Sequence, residues 1–244
     1  MIGRRTFVAV GGAATLAWPL TATATSAFFS ANGVKIHYLA QGSGPPVVLI
    51  HGLDGSAEGT WEMSGIMAAL ARTHRVVALD LPGFGNSDKP ATPDAYGVQW
   101  SEDVLRLLNH LAIGKAHIVG FSMGGIVAVK FAVDHPDRML TGTLVGMGLL
   151  QEGGVMQQFW AHRHDQASRS VADLALTPEQ LKAVRLPFKV LVGSNDSGRG
   201  MYIESLLAVR RDWPLVEIAD ADHISCLFKS QFKDELARWL DLSQ

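Results

Sequence analysis

The 244-residue chain has a single cysteine, Cys226. One thiol can close no intrachain disulfide and build no cysteine metal cluster, so a free buried thiol is expected there. Basic clusters are equally scarce. No run of cations is longer than a pair, and the formal net charge is −2, which argues against a nucleic-acid-binding surface. No apolar run is long enough for a stable membrane span. Internal repeats and low-complexity linkers are absent too. What the chain does have is hydrophobic residues, at 48% of its length. That suits one domain with a sizeable core, or one domain with a small insertion.

The N-terminus reads as a targeting segment. Arg4-Arg5-Thr6-Phe7-Val8 is a short basic start, and Ala9 to Leu20 is apolar but rich in Gly, Ala and Thr. Ala22-Thr23-Ala24 and Thr25-Ser26-Ala27 offer the small residues a signal peptidase accepts. The paired arginines before Thr-Phe-Val resemble a twin-arginine export signal. A general secretory signal and an uncleaved anchor are the alternatives. The expectation is an export signal over residues 1–27, a periplasmic location, and a folded domain over 28–244.

From there strands and helices alternate. Phe28–Ala31 and Val34–Leu39 read as a hairpin around Asn32-Gly33. Val47–Ile50 is a buried parallel-type strand, and Trp61–Arg72 reads as a helix. Arg75–Leu79 is a strand, Val98–Ala112 an amphipathic helix, and Ala116–Val119 a strand. A helix is expected from about Ile126 to Asp134, and a strand over Gly142–Leu149. Between Gln151 and Thr177 the pattern breaks into polar helices, a short cap. Thr177-Pro178 starts a helix, Phe188–Gly193 is a strand, and Met201–Arg210 a helix. Leu215–Ile218 and a closing helix over 227–240 end the chain. Such alternation means a mostly parallel sheet with helices on both faces, and binding sites at the carboxyl ends of its strands.

One turn organises the rest. Gly120-Phe121-Ser122-Met123-Gly124 follows a strand and opens a helix. Gly-x-Ser-x-Gly is what a sharp strand-to-helix turn needs, because the serine's strained backbone leaves its neighbours no room for side chains. It lifts the Ser122 hydroxyl clear of the sheet, at a helix N-terminus where negative charge is favoured. A serine hydroxyl is a poor nucleophile until a base takes its proton. His223, in the loop after the last strand, suits that role, and Asp196, at the end of the adjacent strand, can supply an anion to its other nitrogen.

These motifs, with His51-Gly52-Leu53, Asp80-Leu81-Pro82-Gly83-Phe84-Gly85-Asn86-Ser87, Gly193-Ser194-Asn195-Asp196 and Asp222-His223, resemble the α/β-hydrolase family from about residue 32 to the end. The resemblance implies an α/β fold with an eight-stranded, mostly parallel sheet. It implies a triad in the order Ser122, Asp196, His223, with oxyanion donors at the backbone N–H groups of Leu53 and Met123. No cofactor or metal is implied. Relatives with the same triad cleave esters, lactones, amides or carbon–carbon bonds, or make peracids. Branches acting on haloalkanes and epoxides place aspartate where Ser122 stands.

Rival residues are few. Glu152 is the alternative acid, since some relatives place it after the preceding strand. Asp80 belongs to a structural loop motif, and His51 shapes the oxyanion loop. Asp222 either raises the basicity of His223 or faces solvent. His162 and His164 belong to a solvated cap. Phe159 and Trp160 are expected as apolar anchors of the cap that could line an acyl pocket, or simply pack it down. The expected partner is a small acyl substrate, hydrolysed through an acyl-enzyme. A non-catalytic binding protein on the same fold is the rival class. A fluorophosphonate probe separates the two.

Overall fold

The structure is a computed structural model that describes residues 23–242. The paired arginines and the apolar run of the expected export signal lie outside the described residues. Eight strands form one sheet in the order β1-β2-β4-β3-β5-β6-β7-β8. They are β1 (Thr25–Ala31), β2 (Val34–Gln41), β3 (Pro46–Ile50), β4 (Arg75–Leu79), β5 (Ala116–Phe121), β6 (Met139–Val145), β7 (Phe188–Gly193) and β8 (Leu215–Ile218). β2 runs antiparallel to both β1 and β4, and the pairings from β4 through β8 are parallel. The eight-stranded, mostly parallel sheet expected from the sequence is therefore present. β3, β5 and β7 are almost wholly buried, as apolar runs covered on both faces must be.

Helices cover both faces. The helices are α1 (Ile66–Leu70), α2 (Val98–His110), α3 (Met123–Asp134), α4 (Val155–Ala161), α5 (Gln166–Ser170), α6 (Pro178–Ala183), α7 (Glu204–Val209) and α8 (Ser230–Asp241). α2 buries Trp100, Val104, Leu107 and Leu108, and with α3, α6 and α7 closes the larger core cluster. α1 and α8 close the smaller one on the opposite face, around Trp61, Met67, Phe232 and Leu236. α6 starts on the capping box Thr177–Gln180, which satisfies two orphan N–H groups at once.

Several boundaries move from those expected. β1 begins at Thr25 and pairs Thr25, Ser26 and Ala27 with Ala40, Leu39 and Tyr38, so the hairpin reaches into the second small-residue site. Its turn is Asn32-Gly33, both at positive φ (51° and 82°), as a two-residue turn requires. The expected helix over Trp61–Arg72 is two pieces: a wide turn over Ala57–Glu62, then α1, with Gly65 at φ 74° between them. α3 begins at Met123 rather than Ile126. β6 ends at Val145, and the apolar residues that follow it form a loop.

Strand order reverses about β3: the chain leaves β3 for β4 on one side and later returns to β5 on the other. At that switch point, where ligands bind in open α/β sheets, His51 and Ser122 follow the carboxyl ends of β3 and β5.

Candidate active site

Ser122 caps α3 with φ 54° and ψ −124°, a region a non-glycine residue enters only under constraint. The constraint is visible around it. A Cβ on Gly120 would lie 2.1 Å from the Gly124 carbonyl oxygen, and one on Gly124 would lie 2.2 Å from that of Ile50. Only glycines allow β3, β5 and α3 to meet this closely. The backbone is held from the far side as well, because the Ser122 N–H donates to the Val145 carbonyl at 2.8 Å.

Asp196 and His223 are brought together by two neighbouring turns. The Asn195 N–H donates to the Ala221 carbonyl (2.8 Å), and the Ser194 N–H to that of Ile218 (2.9 Å), so the β7 and β8 loops are laced together. His223 Nδ1 then lies 2.8 Å from Asp196 Oδ2. The other carboxylate oxygen accepts the Gly198 N–H at 2.8 Å. The Asp196 side chain is 1% exposed and that of His223 27%. A buried carboxylate on Nδ1 keeps the proton there and leaves Nε2 as the acceptor that faces outward.

The Ser122 hydroxyl lies against Met147, donating to its Sδ at 3.5 Å rather than to His223. The His223 ring packs on Phe121, the residue before the serine, at 5.0 Å between centroids. Gly146 passes directly beneath the pair: a Cβ there would lie 2.8 Å from His223 Nδ1 and 3.2 Å from Asp196 Oδ2. Met147 and Gly146 were not singled out from the sequence. Their one visible signal is a Gly-x-Gly at the end of an apolar run.

The loop Gly52-Leu53 is fixed by His51. Its Nδ1 lies 2.6 Å from the Gly52 carbonyl, and its Nε2 accepts the Leu81 N–H at 3.1 Å. Those partners require a neutral ring protonated on Nδ1. Burial pushes the His51 pKa below the usual histidine value, outweighing the Gly52 bond and the Asp80 charge. Gly52 sits against Ser122, with 2.9 Å from its would-be Cβ to the serine Cβ. Among the described residues neither the Leu53 nor the Met123 backbone N–H makes a hydrogen bond; Met123 follows Ser122 directly, and Leu53 follows Gly52.

The rival candidates have other occupations. Glu152 is exposed and makes no hydrogen bond to His223; its N–H donates to the Leu176 carbonyl. Asp222 is exposed and caps the turn after it, accepting from the Ile224 and Ser225 N–H groups and the Ser225 hydroxyl. The Ser225 bonds hold its carboxyl below the usual range. Asp80 is a buried hub, accepting the Ala57 N–H (2.6 Å), the Asn86 N–H (2.7 Å) and His37 Nδ1 (2.9 Å). Cys226 is a buried free thiol whose pKa burial pushes up to about 12, with Asp196 and Asp222 adding to the shift. Among the described residues no group of three His, Cys, Asp or Glu is placed to hold a metal ion.

The cap consists of α4, α5 and the 3₁₀ turn Val171–Leu174. Trp160 anchors it, buried, with its Nε1–H donating to Tyr202 Oη at 3.1 Å. Phe159 does not act as a second anchor. It is 49% exposed and lines a recess with His162, Arg163 and His164 that contains none of Ser122, Asp196 and His223.

The sequence profile of the α/β hydrolase fold matches residues 45–180, more than half of the chain. The chain belongs to this family. Among curated relatives, it is 33% identical over 194 residues to the dihydrolipoyllysine-residue acetyltransferase component of an acetoin cleaving system from Cupriavidus necator, covering 74% of this chain and 51% of that one. It is 37% identical over 124 residues to a soluble epoxide hydrolase from a Corynebacterium species, covering 50% and 42%. The chain thus spans about half the length, or less, of the curated relatives it matches. Among solved structures, a carboxylesterase from the thaumarchaeon Nitrososphaera gargenis superposes with a TM-score of 0.73 at 22% identity, over 89% of this chain and 98% of that one. A meta-cleavage product hydrolase from Pseudomonas fluorescens gives the same four values. The superpositions place the chain on the same fold as these solved structures.

Proposed function

We propose that the protein is a serine hydrolase that cleaves a carboxylic ester or a related acyl substrate through an acyl-enzyme. The observation that carries the reading is the His223 Nδ1–Asp196 Oδ2 contact of 2.8 Å, with the His223 ring packed on Phe121 beside the strained Ser122. The substrate's carbonyl carbon enters beside Ser122. The hydroxyl turns from Met147 toward His223 Nε2 and attacks as its proton passes to the imidazole. Asp196 steadies the imidazolium, and the Leu53 and Met123 N–H groups receive the oxyanion. The proton then goes to the leaving alcohol. Water, activated by the same histidine, releases the acid.

Serine at the elbow supports this chemistry over the epoxide branch represented among the relatives. A second reading is hydrolysis of a carbon–carbon bond. It is favoured by relatives such as the 2-hydroxy-6-oxo-6-phenylhexa-2,4-dienoate hydrolase of Burkholderia cepacia, 35% identical over 136 residues. A fluorophosphonate probe followed by a panel of p-nitrophenyl esters of graded chain length tests the proposal. Labelling at Ser122 with turnover of the esters is expected. Labelling without turnover of any ester favours the carbon–carbon reading, and no labelling at Ser122 overturns the serine mechanism.

A further inference from the structure

A second serine, histidine and aspartate stand in line away from Ser122. The Ser26 Oγ on β1 is 2.9 Å from His37 Nε2 on β2. His37 Nδ1 is 2.9 Å from Asp80 Oδ2 at the end of β4. The carboxylate is tied by the Ala57 and Asn86 N–H groups. The histidine is pinned through its backbone, its N–H donating to Ser87 Oγ (2.8 Å) and its carbonyl accepting the Asp80 N–H (2.9 Å). The His37 ring is buried while Ser26 is exposed. A reagent can therefore reach this chain of bonds only at the serine.

We infer that Ser26, His37 and Asp80 form a second relay that makes Ser26 an acceptor site for activated acyl and phosphonyl groups. Triads are recognised by geometry and roles, not by position in the chain. Here the anion sits on Nδ1, which leaves Nε2 bare toward the hydroxyl. The surroundings favour one class of donor. Phe28, half exposed, packs its ring 5.0 Å from His37, and Lys35 Nζ lies 4.0 Å over that ring. An aryl ester or a phosphonyl fluoride offers an apolar arm to Phe28 and an anionic leaving group to Lys35. Asp88, whose Oδ2 takes the Lys35 N–H, is the other charged group on that side.

The step balances within the pair. The Ser26 oxygen bonds to the acyl carbon while its proton passes to His37 Nε2. The bond from that carbon to the phenol oxygen breaks, the electron pair leaves with the phenolate, and the phenolate takes the proton from His37. With a phosphonyl fluoride, the oxygen bonds to phosphorus and fluoride leaves. Ser26 lies in an extended strand rather than at a helix N-terminus, so it lacks the fixed donors that speed deacylation at an elbow. One stable adduct is expected, not turnover.

The test uses the full chain carrying Ser122→Ala, treated with a fluorophosphonate and with p-nitrophenyl acetate, and mapped by peptide mass spectrometry. One adduct is expected, on the peptide holding Ser26, and none in Ser122→Ala/Ser26→Ala. Its rate should fall by about 10²-fold when His37→Gln is added to Ser122→Ala. In the wild-type chain a second adduct should follow the one at Ser122. No adduct at Ser26, equal labelling of other surface serines, or an unchanged rate in the His37→Gln variant overturns the relay. A labelled Ser26 beside a silent Ser122 would sink the function proposed above and leave this inference standing.

Discussion

Asp196 and Asp80 are both buried carboxylates after strand ends, and each faces a histidine Nδ1. What separates them is the serine beyond the ring. Ser122 is lifted out of the sheet at φ 54°, whereas Ser26 lies flat in β1. The proposed triad therefore makes a graded prediction. Asp196→Asn keeps the shape but removes the charge that orients the imidazole and stabilises its cation. Ester turnover should fall by on the order of 10⁴ in Asp196→Asn and on the order of 10⁶ in Ser122→Ala. Both variants should keep the wild-type circular dichroism, and Glu152→Gln, whose side chain is exposed, should retain near-normal kcat. If Glu152→Gln collapses instead, the acid is misassigned. These single residues were legible because each sits beside glycines or turn residues whose spacing is rigid. Met147 was not, because a methionine reads as core whatever its sulfur touches.

Whole elements were legible in kind and less so in extent. The parallel strands follow apolar-rich runs and the first two flank the Asn32-Gly33 turn, but an apolar run does not say where pairing stops. Beyond Val145 the chain stays apolar through Leu150, because Gly146–Leu150 must cross the start of α3 and pack on Leu206 rather than continue the ladder. Gly124 and Gly125 lower helix propensity, which places the expected start of α3 too late. Their real task is close approach, since a Cβ on Gly125 would meet the Met147 carbonyl at 2.2 Å. In the cap, two adjacent aromatic residues read alike, yet one faces inward and the other outward. Trp160→Ala deletes the bond to Tyr202 and a buried indole of the cap, with a cost of about 3–5 kcal/mol. Thermal unfolding should register that loss. Phe159→Ala should leave the melting temperature within about 1 °C, since it removes half-exposed surface. If the two variants destabilise equally, the inward and outward assignments are wrong.

For the molecule as a whole, acid stability has a definite source. His74 and His117 are buried side by side, their rings 6.2 Å apart, and the Nε2 of each lacks a hydrogen bond among the described residues. Burial pushes His117 down to about 4, with His74 adding to the shift, and burial lowers His74 as well. A histidine whose folded pKa is depressed takes its proton first in the unfolded state. Stability from His117 is thus complete above about pH 6.5 and is lost as pH falls toward 4, by about 3 kcal/mol in all. Asp103 works the other way. Burial raises it to about 6, so its contribution is lost as pH rises through that value. Comparing urea unfolding of His117→Gln with wild type at pH 7 and pH 4.5 isolates the histidine. The variant should lose stability relative to wild type at pH 7 and recover most of that difference at pH 4.5. A difference independent of pH would exclude His117 as the acid-labile group. The Asp80 hub has a mechanical consequence. Ser26 leads through His37 to Asp80, and Asp80 holds Ala57, while its neighbour Leu81 holds His51 and so the loop carrying Leu53. A load applied to the first strand travels along these bonds to the loop beside Ser122. A pull on β1 therefore acts on that loop, and a pull on α8 does not follow these bonds.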